Sequence, residues 1–186
     1  MEPLYIVTER CDPSRGSFWD SYVAWSGLTQ LTEVVTLDSL LCPYVLKEVL
    51  AEDWAHIVNE DFMLDYFHDL PYLLRRVGHL NGRNLLCVFR NPAGHVDVPR
   101  GEHGFSFEGY DLVDVRGGIS ALTNCGGFPN AFSNAELSSH GLLSSLARAR
   151  EVATALPKLY SAHGHEHVNV WAIYRALTPR VGCPEG

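Results

Sequence analysis

The sequence predicts an α+β or α/β fold, a single-layer mixed β-sheet with packed helices and a C-terminal strand-helix-strand unit. Three observations predict it. Short runs rich in β-branched and aromatic residues recur along the chain. One long stretch, Leu142 to Tyr160, repeats its apolar residues at steps of three and four, which is the period of a helix with one buried face. Strand and helix patterns alternate, and such alternation is satisfied by helices covering a sheet. With 186 residues, 46% of them hydrophobic, the chain is large enough to bury a core without metal or disulfide staples. Residues 1–178 read as one globular domain and 179–186, with Gly182, Pro184 and Gly186, as a frayed tail.

Leu4 to Thr8 is expected to be the first strand, ended by the turn formers of Cys11 to Gly16. Phe18, Trp19, Tyr22 and Trp25 follow as a dense aromatic stretch closed by Gly27, with Trp19 and Trp25 expected to be mostly buried. Glu33 to Leu37 reads as a second strand through its β-branched content. Asp38 or Ser39 is placed to cap a helix containing Leu46, Val49 and Leu50. A further helical region from Phe62 to Val77 is divided by Pro71, with Asp69 capping the second part. Asn84 to Arg90 reads as a central strand before the Asn91-Pro-Ala-Gly94 turn, and Phe105 to Val115 as another strand. Ser133 and Glu136 have capping-box spacing ahead of the long helix, which Pro157 should end or bend. Val168 to Arg175 is apolar on both faces, as in a covered interior strand. The connection from Phe105–Val115 to that strand is long enough for a right-handed parallel crossover.

Fourteen Lys and Arg oppose 22 Asp and Glu, a net charge of −8. That sign is wrong for a protein whose main partner is nucleic acid or an anionic membrane. No apolar run approaches the roughly 20 residues of a membrane span, and the N-terminal run carries Glu2 where a secretory signal needs positive charge. Five cysteines without a C-x-x-C pair suit a reducing cytoplasm.

Two motifs carry candidate chemistry. In His163-Gly-His-Glu-His167, alternate residues of an extended segment share one side, so His165 and His167, with His163 beside them, are candidate ligands for zinc or another divalent ion. His103 or His140 would have to complete such a site, although histidines in a solvated connection after a helix serve equally well as ordinary surface residues. Cys125, ahead of Gly126 and Gly127, is a candidate nucleophile, but no neighbouring base is identifiable and a buried cysteine beside a glycine turn reads the same way. G-x-G-x-x-G, P-loop, H-E-x-x-H and G-x-S-x-G patterns are all missing. No cofactor is required by the sequence.

The charge is unevenly spread. Between Lys47 and Asp69, seven acids oppose one lysine, a net −6. Glu52, Asp53, Glu60, Asp61, Asp65 and Asp69 are interleaved there with Trp54, and Asp61, Asp65 and Asp69 would share one face of a continuous helix. A solvated helical face explains such a run, but an aromatic anchor ringed by charge also suits an electrostatically steered interface. The leading expectation is a cytoplasmic, bacterial protein-binding protein of inhibitor or immunity type, offering an acidic surface to a basic protein partner. A small hydrolase or metal-assisted enzyme using Cys125 or the histidines is the alternative, and a scaffold domain without a ligand is the third.

Overall fold

Among the described residues, six strands form the frame. In this computed structural model, residues 2–61, 64–94, 96, 98, 104–114, 118–124, 128–160 and 167–177 are described, excepting the side chains of 59–61, 64 and 65. The strands are β1 (Leu4–Glu9), β2 (Ile57–Asp61), β3 (Leu64–Phe67), β4 (Arg83–Arg90), β5 (Phe105–Asp114) and β6 (Val168–Ala176). They lie in the order β2-β3-β1-β4-β6-β5. Every pairing is antiparallel. With helices beside it, the sheet makes the fold α+β.

Strand alternation splits the core between two faces. One face carries Leu4, Ile6, Leu86, Val88, Trp171 and Ile173 against Val35, Leu37 and Leu142. The other carries Tyr5, Val7, Leu85, Cys87, Phe89, Ala172 and Tyr174. Against it pack Leu73 and Val77 of α2 (Leu70–Val77) and Ala149, Val152 and Leu156 of α3 (Leu146–Leu159). Burial on both faces explains the continuous apolar runs of β1, β4 and β6.

The expected parallel crossover is not formed. β6 lies antiparallel beside β5, with Asp114 opposite Val168 and Tyr110 opposite Ala172. The long excursion between them therefore leaves and returns at the same end of the sheet. On the way it seals the outer edge of β5 through the bridges Val113 to Ser120 and Tyr110 to Leu143. Gly109 permits this approach: its φ is +146°, and a Cβ there would fall 2.6 Å from Leu142 Cβ and 2.9 Å from the Leu143 carbonyl oxygen.

Residues 33–37 are not a strand of the sheet, in contrast to the reading of their β-branched content. Val34, Val35 and Leu37 are fully buried, but their amides bond to the carbonyls of Cys11 and His140 and to the Asp111 carboxylate. Their composition reflects burial over the sheet face, not membership of a ladder. The expected helix after Asp38 is also absent. Asp38 caps only a turn, accepting from the amides of Leu40 and Leu41, and Val45 then donates to the Val7 carbonyl as the chain runs alongside β1. Two buried carboxylates hold this irregular layer in place. Asp111 accepts from Thr36 Oγ1 at 2.5 Å and Ser120 Oγ at 2.6 Å, while Asp38 Oδ2 accepts from the Ser120 amide at 3.0 Å and Asn124 Nδ2 at 2.7 Å. Buried backbone away from a ladder needs such partners.

The aromatic stretch forms α1 (Ser17–Ser26), ended by Gly27 in the left-handed conformation. Trp19 and Tyr22 are buried, but Trp25 is 57% exposed, correcting the expectation of its burial. Trp25 lies six residues beyond Trp19, about 240° round the helix and off the buried face. The Phe62 to Val77 region is not one broken helix, because its first part is β3. Asp69 nevertheless caps α2 as expected, with Pro71 in the first turn. The Ser133 and Glu136 capping box is formed, but it heads the 3-10 turn Asn134–Glu136. A further turn at Ser138 to Gly141 intervenes, and Ser145 caps α3. Pro157 lies near the end of α3, within its last turn. Among the described residues no helix is long and apolar enough to cross a membrane.

Candidate functional site

The acidic segment is organised by one residue that is not itself at the surface. Asp53 is 1% exposed. Its Oδ1 accepts from Tyr72 Oη and Arg76 Nε, each at 2.7 Å. Its Oδ2 accepts from Arg76 Nη2 at 3.0 Å and the Leu50 amide at 2.7 Å. Tyr72 and Arg76 are four residues apart on α2 and so project from the same face. The bidentate Arg76 guanidinium holds the Asp53 carboxyl well below the usual carboxylate range, against the opposing effect of burial. Asp53 is thus corrected from a surface charge to the internal fastening of the surface.

The fastening has a second strand of contacts through His56. Asp69 Oδ1 accepts from the Tyr72 amide at 2.9 Å, the helix cap, and Oδ2 lies 3.0 Å from His56 Nδ1. The Asp69 carboxyl is lowered mainly by the Tyr72 amide, with His56 contributing. The His56 ring stacks on Tyr72 with centroids 3.7 Å apart and planes 12° from parallel. Backbone bonds close the turn, from the Asp53 amide to the Leu50 carbonyl and from the His56 amide to the Asp53 carbonyl. Asp53, His56, Asp69, Tyr72 and Arg76 therefore tie the Leu50 to His56 turn to α2.

What this framework displays is an aromatic and apolar tip. Trp54 is 60% exposed and Leu50 41%, with Glu48 and Glu52 exposed beside them. The turn runs straight into the outermost strand, β2, and its partner β3. Asp61, Asp65 and Asp69 do not share a helical face, as their spacing suggests. Asp61 ends β2, Asp65 lies in β3 opposite Asn59, and Asp69 caps α2, because the pairing of Ile57 with Phe67 and Val58 with Tyr66 makes this stretch extended. The side chains of Glu60, Asp61 and Asp65 lie outside those described.

Cys125, His163 and His165, the candidate nucleophile and metal ligands, also lie outside the described residues, as does His103. His167 is exposed just ahead of β6. His140 is engaged with Glu108, at 2.6 Å. Among the described residues, no group of three or more His, Cys, Asp and Glu side chains has the placement to hold a metal ion. Cys11, Cys42 and Cys87 are buried free thiols, and burial pushes the Cys87 thiol up to about 12, far from a reactive thiolate. The residues that sequence reading missed are His56, Tyr72 and Arg76. Only the four-residue spacing of Tyr72 and Arg76 hinted at a shared face, and nothing local paired them with Asp53. No family model, curated protein or solved structure matches the chain.

Proposed function

We propose that the protein is a protein-binding module of inhibitor or immunity type, which docks the Leu50 to Trp54 turn and its acidic surroundings onto a basic protein partner. The observation that carries this reading is an exposed tryptophan on a turn that is braced internally by Asp53, Tyr72 and Arg76. Tryptophan is prominent among residues that dominate binding energy. Bracing removes much of the ordering cost that association otherwise imposes on a loop. The surrounding sequence, seven acids against one lysine from Lys47 to Asp69, supplies the sign of charge that would steer a cationic surface toward the turn. Asp53 is enclosed with Arg76 and Asp69 caps α2, so the exposed Glu48 and Glu52 carry the steering. A reducing cytoplasm is the compartment this reading favours, in keeping with three buried free thiols.

Affinity capture from the source cell with wild type, Trp54→Ala and Glu48→Lys/Glu52→Lys in parallel tests the proposal. A basic partner should be retained by wild type and lost with Trp54→Ala. For the purified pair, the double charge reversal should lower the association rate by about tenfold at low salt and flatten its salt dependence. Trp54→Ala should leave folding stability within about 0.5 kcal/mol, because its side chain is largely outside the core. Equal capture by all three forms, or association rates unchanged by the reversal, would overturn the proposal.

A further inference from the structure

A cleft of about 310 Å³ lies at the end of the sheet where β1 and β6 finish and β4 and β5 begin. Three arginines line it in a chain of net charge −8: Arg10, Arg83 and Arg175, facing Glu33 and Glu108. The two carboxylates are already committed. Glu33, 4% exposed, accepts from Arg10 Nε at 3.0 Å, Arg10 Nη2 at 2.8 Å, Arg175 Nη1 at 2.7 Å and Asn84 Nδ2 at 2.7 Å. Glu108 accepts from Arg175 Nε and Ser106 Oγ, both at 3.1 Å, and lies 2.6 Å from His140 Nδ1.

The donors are not all committed. Arg10 also lies 3.2 Å from Asp12 through Nε, but its Nη1 has no partner among the described residues. Arg83 donates through Nη1 to the His79 carbonyl at 2.9 Å, and its Nε is 3.6 Å from Glu9; its Nη2 likewise has no partner among the described residues. The cleft thus holds filled acceptors and spare, positively charged donors, with Leu80 and Leu85 adding apolar lining. A group that brings acceptors and negative charge completes it, because oxygens of a carboxylate or phosphate can each accept from the one nitrogen left on Arg10 and on Arg83. The volume lies at the lower end of the range for small-molecule sites.

We propose that this cleft binds a small organic oxyanion, with its carboxylate or phosphate group held by Arg10 and Arg83 and a short apolar body against Leu80. The buried carboxylate of Glu33 orients Arg10 for this role. Amide and arginine Nε–H resonances, followed by NMR while inorganic phosphate, butyrate or chloride is added at constant ionic strength, test it. Saturable shifts confined to Arg10, Arg83, Asn84 and Ser106 are expected with phosphate or butyrate and not with chloride. Saturation by phosphate alone assigns a phosphate ligand, by butyrate alone a carboxylate. Arg83→Gln should weaken binding by about tenfold or more, the loss of a charged donor. Arg10→Lys, which keeps a cationic donor for the buried Glu33 carboxylate but removes the free guanidinium nitrogen, should also weaken binding and serves where Arg83→Gln fails to fold. Identical drifts with all three salts, or unaltered binding in a folded variant, would overturn the proposal.

Discussion

When Arg76 is replaced by methionine, the Asp53 carboxylate stays at a position 1% exposed but loses two of its four donors, one to each oxygen. The methionine keeps much of the aliphatic packing of the arginine stem, so the change isolates the loss of charge pairing. Leaving a buried carboxylate short of partners costs about 2–3 kcal/mol, and Arg76→Met is expected to lower the unfolding free energy from urea titration by an amount of that order, with a correspondingly lower midpoint. Asp53→Asn should cost less, because the amide oxygen still accepts from Tyr72 or Leu50 and the remaining arginine can turn toward water. A midpoint unchanged by Arg76→Met would mean that the ion pair does not brace the turn. The same side chains explain why the acids of this segment cannot be sorted by eye. Glu52 and Asp53 are adjacent in sequence, yet one faces solvent and the other is enclosed. What separates them is a guanidinium 23 residues away, a distance at which no local pattern speaks.

Capping shows how far elements can be read and where reading stops. Asp69 followed by Pro71 is a local signal, and it yields the start of α2 because both effects act within one turn: the carboxylate accepts from the Tyr72 amide, and proline fits where no amide bond is needed. Asp69→Ala should therefore destabilise the fold through loss of the cap, whereas Asp69→Asn should retain the cap and lose only the carboxylate's contact with His56. Comparable midpoint losses in thermal or urea unfolding for both variants would show that His56, not the cap, is the important partner. Strands β1, β4 and β6 are legible for a related reason, since strands inside a covered sheet leave continuous apolar runs, and β5 is legible through its aromatic and β-branched residues. The same logic misled at Glu33 to Leu37, where apolar β-branched residues lie over the sheet and satisfy their amides through Cys11, His140 and Asp111. It also missed β2 and β3, because the acids within these short strands break the apolar pattern that marks strands elsewhere. β2 is the outer strand on this side, and acidic residues in an outer strand discourage pairing with another chain.

At the scale of the molecule, lowered carboxylates are braced in two separate networks, one at Asp53 and Asp69 and one at Glu33 and Glu108. Asp53 and Asp69 are lowered by the partners named above. For Glu33, burial acts upward, but Arg10, Asn84 and Arg175 outweigh it; for Glu108, His140 and Arg175 likewise outweigh burial. A carboxylate whose folded value is depressed contributes stability that is complete above its unfolded value, about 4, and lost as pH falls through the folded value. Asp111 has the opposite sign: burial raises it, so its contribution is complete below its unfolded value and lost as pH rises through the folded one. Net charge also matters, because −8 at neutral pH shrinks toward zero near pH 5.5 and relieves self-repulsion over that interval. Stability should consequently hold or rise slightly from neutral pH to about 5.5 and fall steeply below about 4. Urea midpoints measured across this range check the shape. Arg76→Met provides the discriminating comparison: without its guanidinium, the Asp53 value returns toward the ordinary range, so the variant should be less stable at neutral pH yet lose less on acidification. Curves for wild type and variant that remain parallel down to pH 3 would assign the acid limb to the other lowered carboxylates and remove Asp53 from the account.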